Sequence, residues 1–396
     1  MKKQNYHSAE QIIRLVPDEL LDRLSATSNV DHFVKKLQGK TVFKLFLYGI
    51  LSGHEISLRI LETIFNSDKF KSLFNLPDGK IRHSGIAIRL SRISSDYFKN
   101  IFNHLVASPD LNEIIFAGKK ILTSKIDSTL VLLSSKLLGI GMNDNHGKKT
   151  LKFSVELNGG IPVNIMLFRD QSYLSEENAL PEIIKKKTIK NLLNIAIFDR
   201  GVQSKSSFAE FNKLGIKFIT RIGTHKFDVV GQLPIEKKET ETLRIDSYQE
   251  IKFSGKSNSE KANNIVFRLV TGRNKKTGET IKFITNVGFL SAAEITDLYR
   301  SRWEIETFFK FIKQEMNFSH LLSRNENGIK VVMYLTMIVA ILLTVYKKMN
   351  KIIGWTVAKI KFLNELEINM MNNWHEQMNP LFADKNACFS GNLSGS

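Results

Sequence analysis

The spacing of apolar residues divides the chain into a helical first part and a mixed second part. Up to about residue 110, apolar positions recur every three or four residues, with a break at Ser52-Gly53. This predicts short helices, followed by a longer helix from His83 to Val106 that carries Arg89 and Arg92. Small helices before a basic helix are typical of helix-turn-helix DNA-binding domains. A helical bundle with a solvated basic face fits the same pattern.

From residue 119 the pattern changes to one of strands. Apolar runs predict three strands, then a helix, a strand, a helix and a strand. The predicted ranges are Lys120–Ile126, Thr150–Leu157, Ile161–Phe168, Ser175–Lys190, Leu193–Phe198, Ser204–Leu214 and Lys217–Thr220. Asn158-Gly159-Gly160 predicts a tight hairpin between the second and third strands. This is the element order of a ribonuclease H-like fold, in which the first and fourth strands are neighbours.

Short β patterns interrupt this order between Arg221 and Ile281. They are Thr242–Ile245, Glu250–Phe253, Asn264–Val270 and Thr280–Thr285. A minimal ribonuclease H-like fold lacks such a segment, so we expect a β-rich insertion whose last strand rejoins the core.

The segment Leu298–Lys313 predicts one buried helix with a charged stripe. At 100° per residue, Tyr299, Arg302, Glu306 and Lys313 fall within about 60° of one another, beside an apolar face. A buried carboxylate without a partner is costly, so Glu306 needs the arginine one turn before it or the lysine two turns after it. A surface helix with an ordinary Arg–Glu pair is the alternative.

Charge and composition point to a polyanionic partner. Among 396 residues, 57 are lysine or arginine and 39 are acidic, for a net charge of +18. Nucleic acid is the commonest partner of so basic a protein, although a solvated basic surface is the simpler explanation. The single cysteine, Cys388, excludes an internal disulfide and indicates a reducing cytoplasm. We expect no export signal, and we interpret Val331–Tyr346 as a core helix because it is shorter than a membrane span of about 20 residues.

Two aspartates follow predicted strands that should be neighbours. Asp127 comes after the first strand and Asp199 after the fourth, and a later helix can bring Glu306 to both. Three carboxylates at one point repel unless divalent metal neutralises them, and oxygen ligands favour Mg²⁺ or Mn²⁺. Two such ions about 3.5 to 4 Å apart can promote phosphodiester cleavage. Taken singly, an aspartate after a strand is more often a cap or turn residue.

The late helix resembles that of DDE transposases of the insertion-sequence-4 family. Tyr299, Arg302, Glu306 and Lys313 have the spacing of that family's YREK motif, with two, three and six residues between them. The resemblance covers roughly residues 30 to 350 and is strongest around 195 to 225 and 280 to 325.

The two aspartates fit the same resemblance. Asp127 in KIDST is similar to the family's first aspartate and Asp199 in IFDRG to its second. The resemblance implies that these residues and Glu306 are catalytic and hold Mg²⁺ or Mn²⁺, two ions per site. It further implies contacts with DNA by Tyr299, Arg302, Lys313 and, in FITRIGTH, Arg221.

Some relatives stack a tryptophan of the insertion on an unpaired base while a DNA hairpin forms. This insertion contains no tryptophan. The aromatic residues that could replace it are Phe227, Tyr248 and Phe253.

The fold expected from sequence is α/β, with a ribonuclease H-like core in two parts (113–222 and 285–350) around a β-rich insertion (223–284). A helical DNA-binding domain (1–112) precedes the core, and a helical tail (351–396) follows it. We expect an insertion-sequence transposase that binds terminal inverted repeats of double-stranded DNA as a homodimer, at the nucleoid in a prokaryotic cytoplasm, with no membrane partner. The alternatives are an inactive DNA-binding protein and a ribonuclease H-like nuclease that cuts without joining.

Overall fold

The computed structural model describes residues 6–53, 55–116, 121–133, 139–186, 194–254 and 264–368. Contacts divide the chain into two compact units. One comprises Met1–Ser108 and Ile312–Ser396, and the other comprises Pro109–Phe311. The five-segment layout expected from sequence stays a prediction.

The first unit is helical where it is described. Its helices are α1 (Ala9–Ile13), α2 (Asp18–Ser28), α3 (Gly39–Leu51), α4 (Leu58–Asn66), α5 (Asp68–Leu73), α6 (His83–Arg92), α7 (Ser95–Ala107), α13 (Glu326–Met349) and α14 (355–368). The prediction of one helix from His83 to Val106 was wrong. The Ser94 hydroxyl accepts a hydrogen bond from the Asp96 N–H, and this cap starts α7 as a separate helix.

Helix α13 is the central apolar helix of this unit. It packs against α1, α3, α6 and α7. With 24 residues it is long and apolar enough to cross a membrane, so the length argument made from sequence does not hold. Its most apolar stretch is 89 % buried within the protein, which is typical of a core helix.

The second unit contains one large mixed sheet with helices on it. The described strands are β1 (Leu122–Leu132), β2 (Met142–Asn143), β3 (Lys149–Asn158), β4 (Ile161–Phe168), β5 (Asn194–Phe198), β6 (Lys217–Arg221), β7 (Phe227–Gln232), β8 (Leu243–Phe253), β9 (Phe267–Asn274) and β10 (Thr280–Thr285). Its helices are α8 (Pro109–Phe116), α9 (Glu176–Lys185), α10 (Lys205–Lys213), α11 (Ala292–Arg300) and α12 (Trp303–Glu315), the last of which continues into the first unit. The strand order is β2-β3-β1-β5-β6-β10-β9-β8-β7, with β4 beside β3.

Strands β1 and β5 are parallel neighbours, as expected of the first and fourth predicted strands. The parallel pairing ends at Ile126 and Phe198. Strand β1 itself continues to Leu132 because β3 pairs with it there, which places Asp127 inside β1 and not at its end. The prediction that Asp127 follows the end of its strand was therefore wrong, because β1 continues past it. The prediction that Asp127 lies beside the end of β5 holds.

The hairpin predicted at Asn158-Gly159-Gly160 is present. Strand β3 ends at Asn158, β4 begins at Ile161, and the two glycines between them have φ of 55° and 77°. Two positive φ angles in a two-residue loop are the signature of a type I′ turn, whose twist matches that of the strands.

The described strands of the segment that the sequence predicts to be an insertion (223–284) belong to the same sheet. The two short strands predicted at Thr242–Ile245 and Glu250–Phe253 form one strand, β8, whose register with β9 shifts between Ile245 and Ser247. Strand β10 pairs with β6 on one side and with β9 on the other, so pairing is continuous from the core into the insertion.

Alternate residues of β5 enter different cores on the two faces of the sheet. Ala196 and Phe198 pack in the cluster that contains apolar residues of α9 and α10. Ile195 and Ile197 pack in the cluster that contains residues of α11. Helices thus cover both faces around the end of β5.

Candidate active site

Asp127 and Asp199 are the residues that directly follow the last parallel pair of β1 and β5. The Asp127 carboxylate accepts a hydrogen bond of 2.7 Å from the Ser128 N–H. The Asp199 carboxylate accepts one of 2.8 Å from the Arg200 N–H and one of 2.8 Å from the Tyr299 hydroxyl. The end of β5 therefore holds two fixed carboxylates.

The predicted single helix from Leu298 to Lys313 was wrong, because α11 ends at Arg300 and α12 begins at Trp303. Between them, the N–H groups of Ser301 and Arg302 bond to the carbonyl groups three residues back. This is the tighter 3₁₀ geometry, which changes the rotation per residue. Tyr299 and Glu306 consequently lie on different helices.

Arg302 lies between two of the three candidate carboxylates. Its Nη2 is 2.5 Å from Glu306 Oε1 and its Nη1 is 3.6 Å from Asp127 Oδ2. The residue is only 8 % exposed, and its Nε has no hydrogen-bond partner among the described residues. The expected pairing of Arg302 with Glu306 is present, and it also links Glu306 to Asp127.

The surroundings change the pKa values of the two aspartates in opposite directions. Burial, together with the charges of Glu176 and Asp199, raises the pKa of Asp127 to about 6 despite the Ser128 N–H and Arg302. Burial also acts to raise the pKa of Asp199, but hydrogen bonds from Arg200 and Tyr299 and nearby arginine charges outweigh it and lower that pKa. Asp199 is thus the more firmly ionised of the two.

Glu176 and Lys152 belong to the same charged cluster, although no pattern in the sequence indicated it. Burial raises the pKa of Glu176, with the Asp199 charge adding to this and Lys152 and Arg302 opposing it. Burial likewise lowers the pKa of Lys152, which is 3 % exposed and donates to the Leu174 carbonyl group. The site therefore contains a fourth acidic residue and an additional buried cation.

Gly201 makes room for Glu176. A Cβ atom at Gly201 would lie 2.0 Å from Glu176 Oε2 and 2.7 Å from its Cβ. The next residue, Glu177, accepts hydrogen bonds from the Gln203 and Ser204 N–H groups, at 2.6 and 3.1 Å. The start of α9 thereby holds the loop that follows Asp199.

Arg221 is placed close to the carboxylates at the end of β6. Its positive charge helps to lower the pKa of Asp199. The guanidinium group also lies 3.6 Å from Glu279, a long ion pair that leaves it partly exposed.

The other basic residues expected to bind DNA lie in the first unit. Lys313 is in α12, and burial lowers its pKa. Arg92 is exposed at the end of α6. Arg89 donates to the carbonyl groups of Val30 and Leu37 and pairs with Asp31, so we do not retain it as a DNA contact.

Two of the three aromatic residues considered for base stacking are buried in the core. Tyr248 is 4 % exposed and donates to the Leu290 carbonyl group, and Phe253 is 1 % exposed. Phe227 is partly buried against the same core as Phe253. Tyr248 and Phe253 are therefore core residues, which excludes them from stacking on DNA.

The side chains of the site offer the type of ligand atom that a hard divalent cation binds. Asp127, Asp199 and Glu306 offer carboxylate oxygen atoms, which Mg²⁺ and Mn²⁺ prefer. Within the described part of the chain, no three Asp, Glu, His or Cys side chains are close enough to hold one ion. Arg302 occupies the space between Asp127 and Glu306, and its positive charge compensates theirs.

Comparison with known proteins places this site in a family. The model of the family described as "Transposase DDE domain" matches residues 125–342, more than half of the chain and the whole of the site. The chain belongs to this family of DDE transposases, which generally depend on divalent metal ions.

Three relatives carry related descriptions. A protein of Synechocystis sp., described as a candidate transposase for insertion sequence element IS4SA, is 25 % identical over 271 residues, which cover 63 % of this chain and 71 % of the relative. A candidate transposase y4zB of Sinorhizobium fredii is 27 % identical over 39 % of this chain and 43 % of its own length. A candidate transposase for insertion sequence element IS5377 of Geobacillus stearothermophilus is 30 % identical over 25 % of each chain.

Proposed function

We propose that this protein is an insertion-sequence transposase that binds the terminal inverted repeats of its element, cleaves DNA there and joins the 3′ ends to target DNA. The observation that carries the proposal is the position of Arg302, which is buried between Asp127 and Glu306. Tyr299 contacts Asp199 beside it. Arg302 and Tyr299, which have the spacing of the YREK motif, thus contact three carboxylates that are far apart in the sequence.

The topology supports a ribonuclease H-like core. The strands β4, β3 and β1 are antiparallel neighbours, and β1, β5 and β6 are parallel neighbours. This arrangement agrees with the order expected from the sequence.

Asp127, Asp199 and Glu306 would hold the metal. Mg²⁺ or Mn²⁺, two ions per site, would supply Lewis-acid activation of the attacking hydroxyl and neutralise charge on the phosphate. Tyr299 holds Asp199 by a hydrogen bond. No side chain needs to form a covalent bond to DNA, since positioning and charge compensation are sufficient for this chemistry.

Basic residues would bind the DNA backbone. The positive charge of Arg302 would attract a phosphate near the scissile bond, and Lys313 would act as a point charge. Arg221 and Arg92 would bind other phosphates. Assembly as a homodimer on DNA, location at the nucleoid of a prokaryotic cytoplasm, absence of a membrane partner and the five-segment domain layout are parts of the same proposal.

The test is cleavage of a DNA that carries the repeats flanking the protein's own gene, in the presence of Mg²⁺. We expect Glu306→Gln to bind this DNA but to lose cleavage by about 10³-fold or more, because the variant lacks a metal-binding charge. Glu304→Gln is the matched control, since Glu304 is on the same helix and pairs with Lys125 at 3.2 Å. Circular dichroism checks that both variants are folded.

Either of two outcomes would overturn the proposal and favour another function. If wild type and Glu306→Gln both bind and neither cuts, the protein is a DNA-binding protein without catalytic activity. If wild type cuts but gives no joined products, it is a nuclease.

A further inference from the structure

The loop of residues 30–38, between α2 and α3, is fastened at both ends by one arginine. Arg89 of α6 donates to the Val30 carbonyl oxygen at 2.9 Å and to the Leu37 carbonyl oxygen at 2.8 Å. These bonds fix the backbone at both ends of the segment, and the residues between them are therefore anchored on both sides. We call residues 30–38 the fastened loop.

Asp31 strengthens this attachment. Its carboxylate accepts hydrogen bonds from Arg89 at 2.8 Å, from the Gly39 N–H at 2.7 Å and from the Ser25 hydroxyl at 2.5 Å. Hydrogen bonds between ionised groups are stronger than neutral ones, and the Arg89 side chain is only 11 % exposed. The base of the fastened loop is therefore rigid.

This rigid base supports an exposed aromatic residue. Phe33 is 93 % exposed, and its φ of 58° lies in the left-handed region that phenylalanine rarely adopts. Its ring lies against that of His32, with the centroids 3.8 Å apart. Neither packing nor backbone preference accounts for phenylalanine at this position, and non-glycine residues held at a left-handed φ cluster at functional sites.

The neighbouring charges favour nucleic acid as the binding partner. Lys35 and Lys36 are exposed on the same loop and line a pocket of about 370 Å³. Lys40 and Lys44 line it too, but both are paired with Asp18, so the charge of this site rests on Lys35 and Lys36. An aromatic ring beside lysines suits DNA, because a base that is turned out of the duplex stacks on the ring while the lysines bind phosphates. A partner protein would more often require a contiguous apolar patch.

We infer that the fastened loop is a DNA-binding site in which Phe33 stacks on a base and Lys35 and Lys36 bind the flanking phosphates. Arg89 is then a positioning residue for this site. The inference rests on the proposed function, because it assumes that DNA is the substrate. The inference places a contact with a DNA base in the first unit. From the sequence, arginines of a helix were expected to contact DNA in this part of the chain.

The experiment measures the affinity of the full-length protein for a duplex carrying the repeats that flank its own gene. We expect Phe33→Ala to weaken binding by about 5- to 150-fold, the range for loss of one stacked base, and Phe33→Trp to retain it. Phe289→Ala is the matched control, because Phe289 is also exposed, at 54 %, but lies in the second unit. Phe33→Gly adopts a positive φ without strain, so weak binding by this variant is not a consequence of backbone strain.

Two further readouts separate stacking from a structural role. A 2-aminopurine base in the probe should gain fluorescence when wild type binds, because it leaves the stack of the duplex, but not when Phe33→Ala binds. The unfolding temperatures of the two proteins should agree. In Lys35→Gln/Lys36→Gln, the slope of log affinity against log salt should fall by about two.

The outcomes distinguish this inference from the proposed function. If wild type fails to bind the duplex, both are overturned. If wild type binds and cuts while Phe33→Ala binds as tightly as Phe289→Ala, the function stands and the inference falls. The inference also falls if Phe33→Ala changes only the association state of the protein in sedimentation without DNA, because Phe33 would then contact a second copy of the chain.

Discussion

Asp127 is held in surroundings that disfavour its charge. Burial raises its pKa to about 6 from an ordinary value of 3.8, so its carboxyl group is protonated more readily than that of an exposed aspartate. Part of the stability of the metal-free protein is therefore lost at neutral pH. Active sites commonly carry such a cost because function requires it.

We predict that Asp127→Asn stabilises the metal-free protein at neutral pH but not in acid. A carboxyl group whose pKa is raised on folding contributes stability below about pH 4, and this contribution is lost as the pH rises through about 6. The free energy of unfolding of the variant relative to wild type should rise by about 2 to 3 kcal/mol between pH 4 and pH 7.5. Urea unfolding in EDTA measures it.

An equal difference at both pH values would show that the change acts through packing or through Arg302, and not through the Asp127 charge. Asp144→Asn is a suitable control, because backbone N–H groups lower the pKa of the exposed Asp144. Its contribution should change with pH in the opposite direction.

The main contacts of the site follow from sequence, but the surrounding charges do not. The strand order is enough to bring Asp127 beside Asp199, and a four-residue spacing is enough to pair Arg302 with Glu306. Glu176 could not be recognised, since Ser175-Glu176-Glu177 is an ordinary helix start in which acidic residues are common. Its role depends on the closeness of Gly201, which only the folded chain shows.

The helices and strands were predicted well where one local signal dominates. The Gly159-Gly160 turn fixes its hairpin, and the apolar strands β4, β5 and β6 were found within one residue at each end. Two helix breaks were missed, at Ser94 and Ser301, because periodicity continues across a short interruption. The length of β8 was underestimated because its register shift hides the alternation.

The Gly159-Gly160 turn gives a prediction for the β3–β4 hairpin. We expect Gly160→Val to reduce the free energy of unfolding by about 1 to 2 kcal/mol, because a branched residue is disfavoured at its φ of 77°. Gly160→Asn should be much closer to wild type, since asparagine tolerates left-handed φ. Urea unfolding of both variants tests this, and equal losses would contradict it.

The first unit is discontinuous in sequence, which has consequences for folding. Helices α3, α6 and α7 pack on α13, which lies more than 200 residues later in the chain. Long-range contacts of this kind form late, because a large loop must close before they stabilise the fold. The first hundred residues therefore depend on the end of the chain.

We predict that a fragment of residues 1–108 does not fold by itself. Most of α3 is buried, and without α13 its apolar surface would be in water. A second fragment in which residues 312–368 are joined to residues 1–108 by a flexible linker should fold cooperatively. Near-ultraviolet circular dichroism and thermal unfolding compare them, and cooperative unfolding of the short fragment would refute the prediction.

Strand β10 makes the insertion mechanically part of the sheet that contains β1 and β5. Because β10 is bonded to β6 and to β9, the insertion is not joined to the core by a hinge. A sideways force on β7, β8 or β9 would reach β6 as shear along its hydrogen bonds, and β5, which ends beside Asp199, is the next strand. The strands next to Asp127 and Asp199 would thus take part in resisting a force that is applied to the insertion.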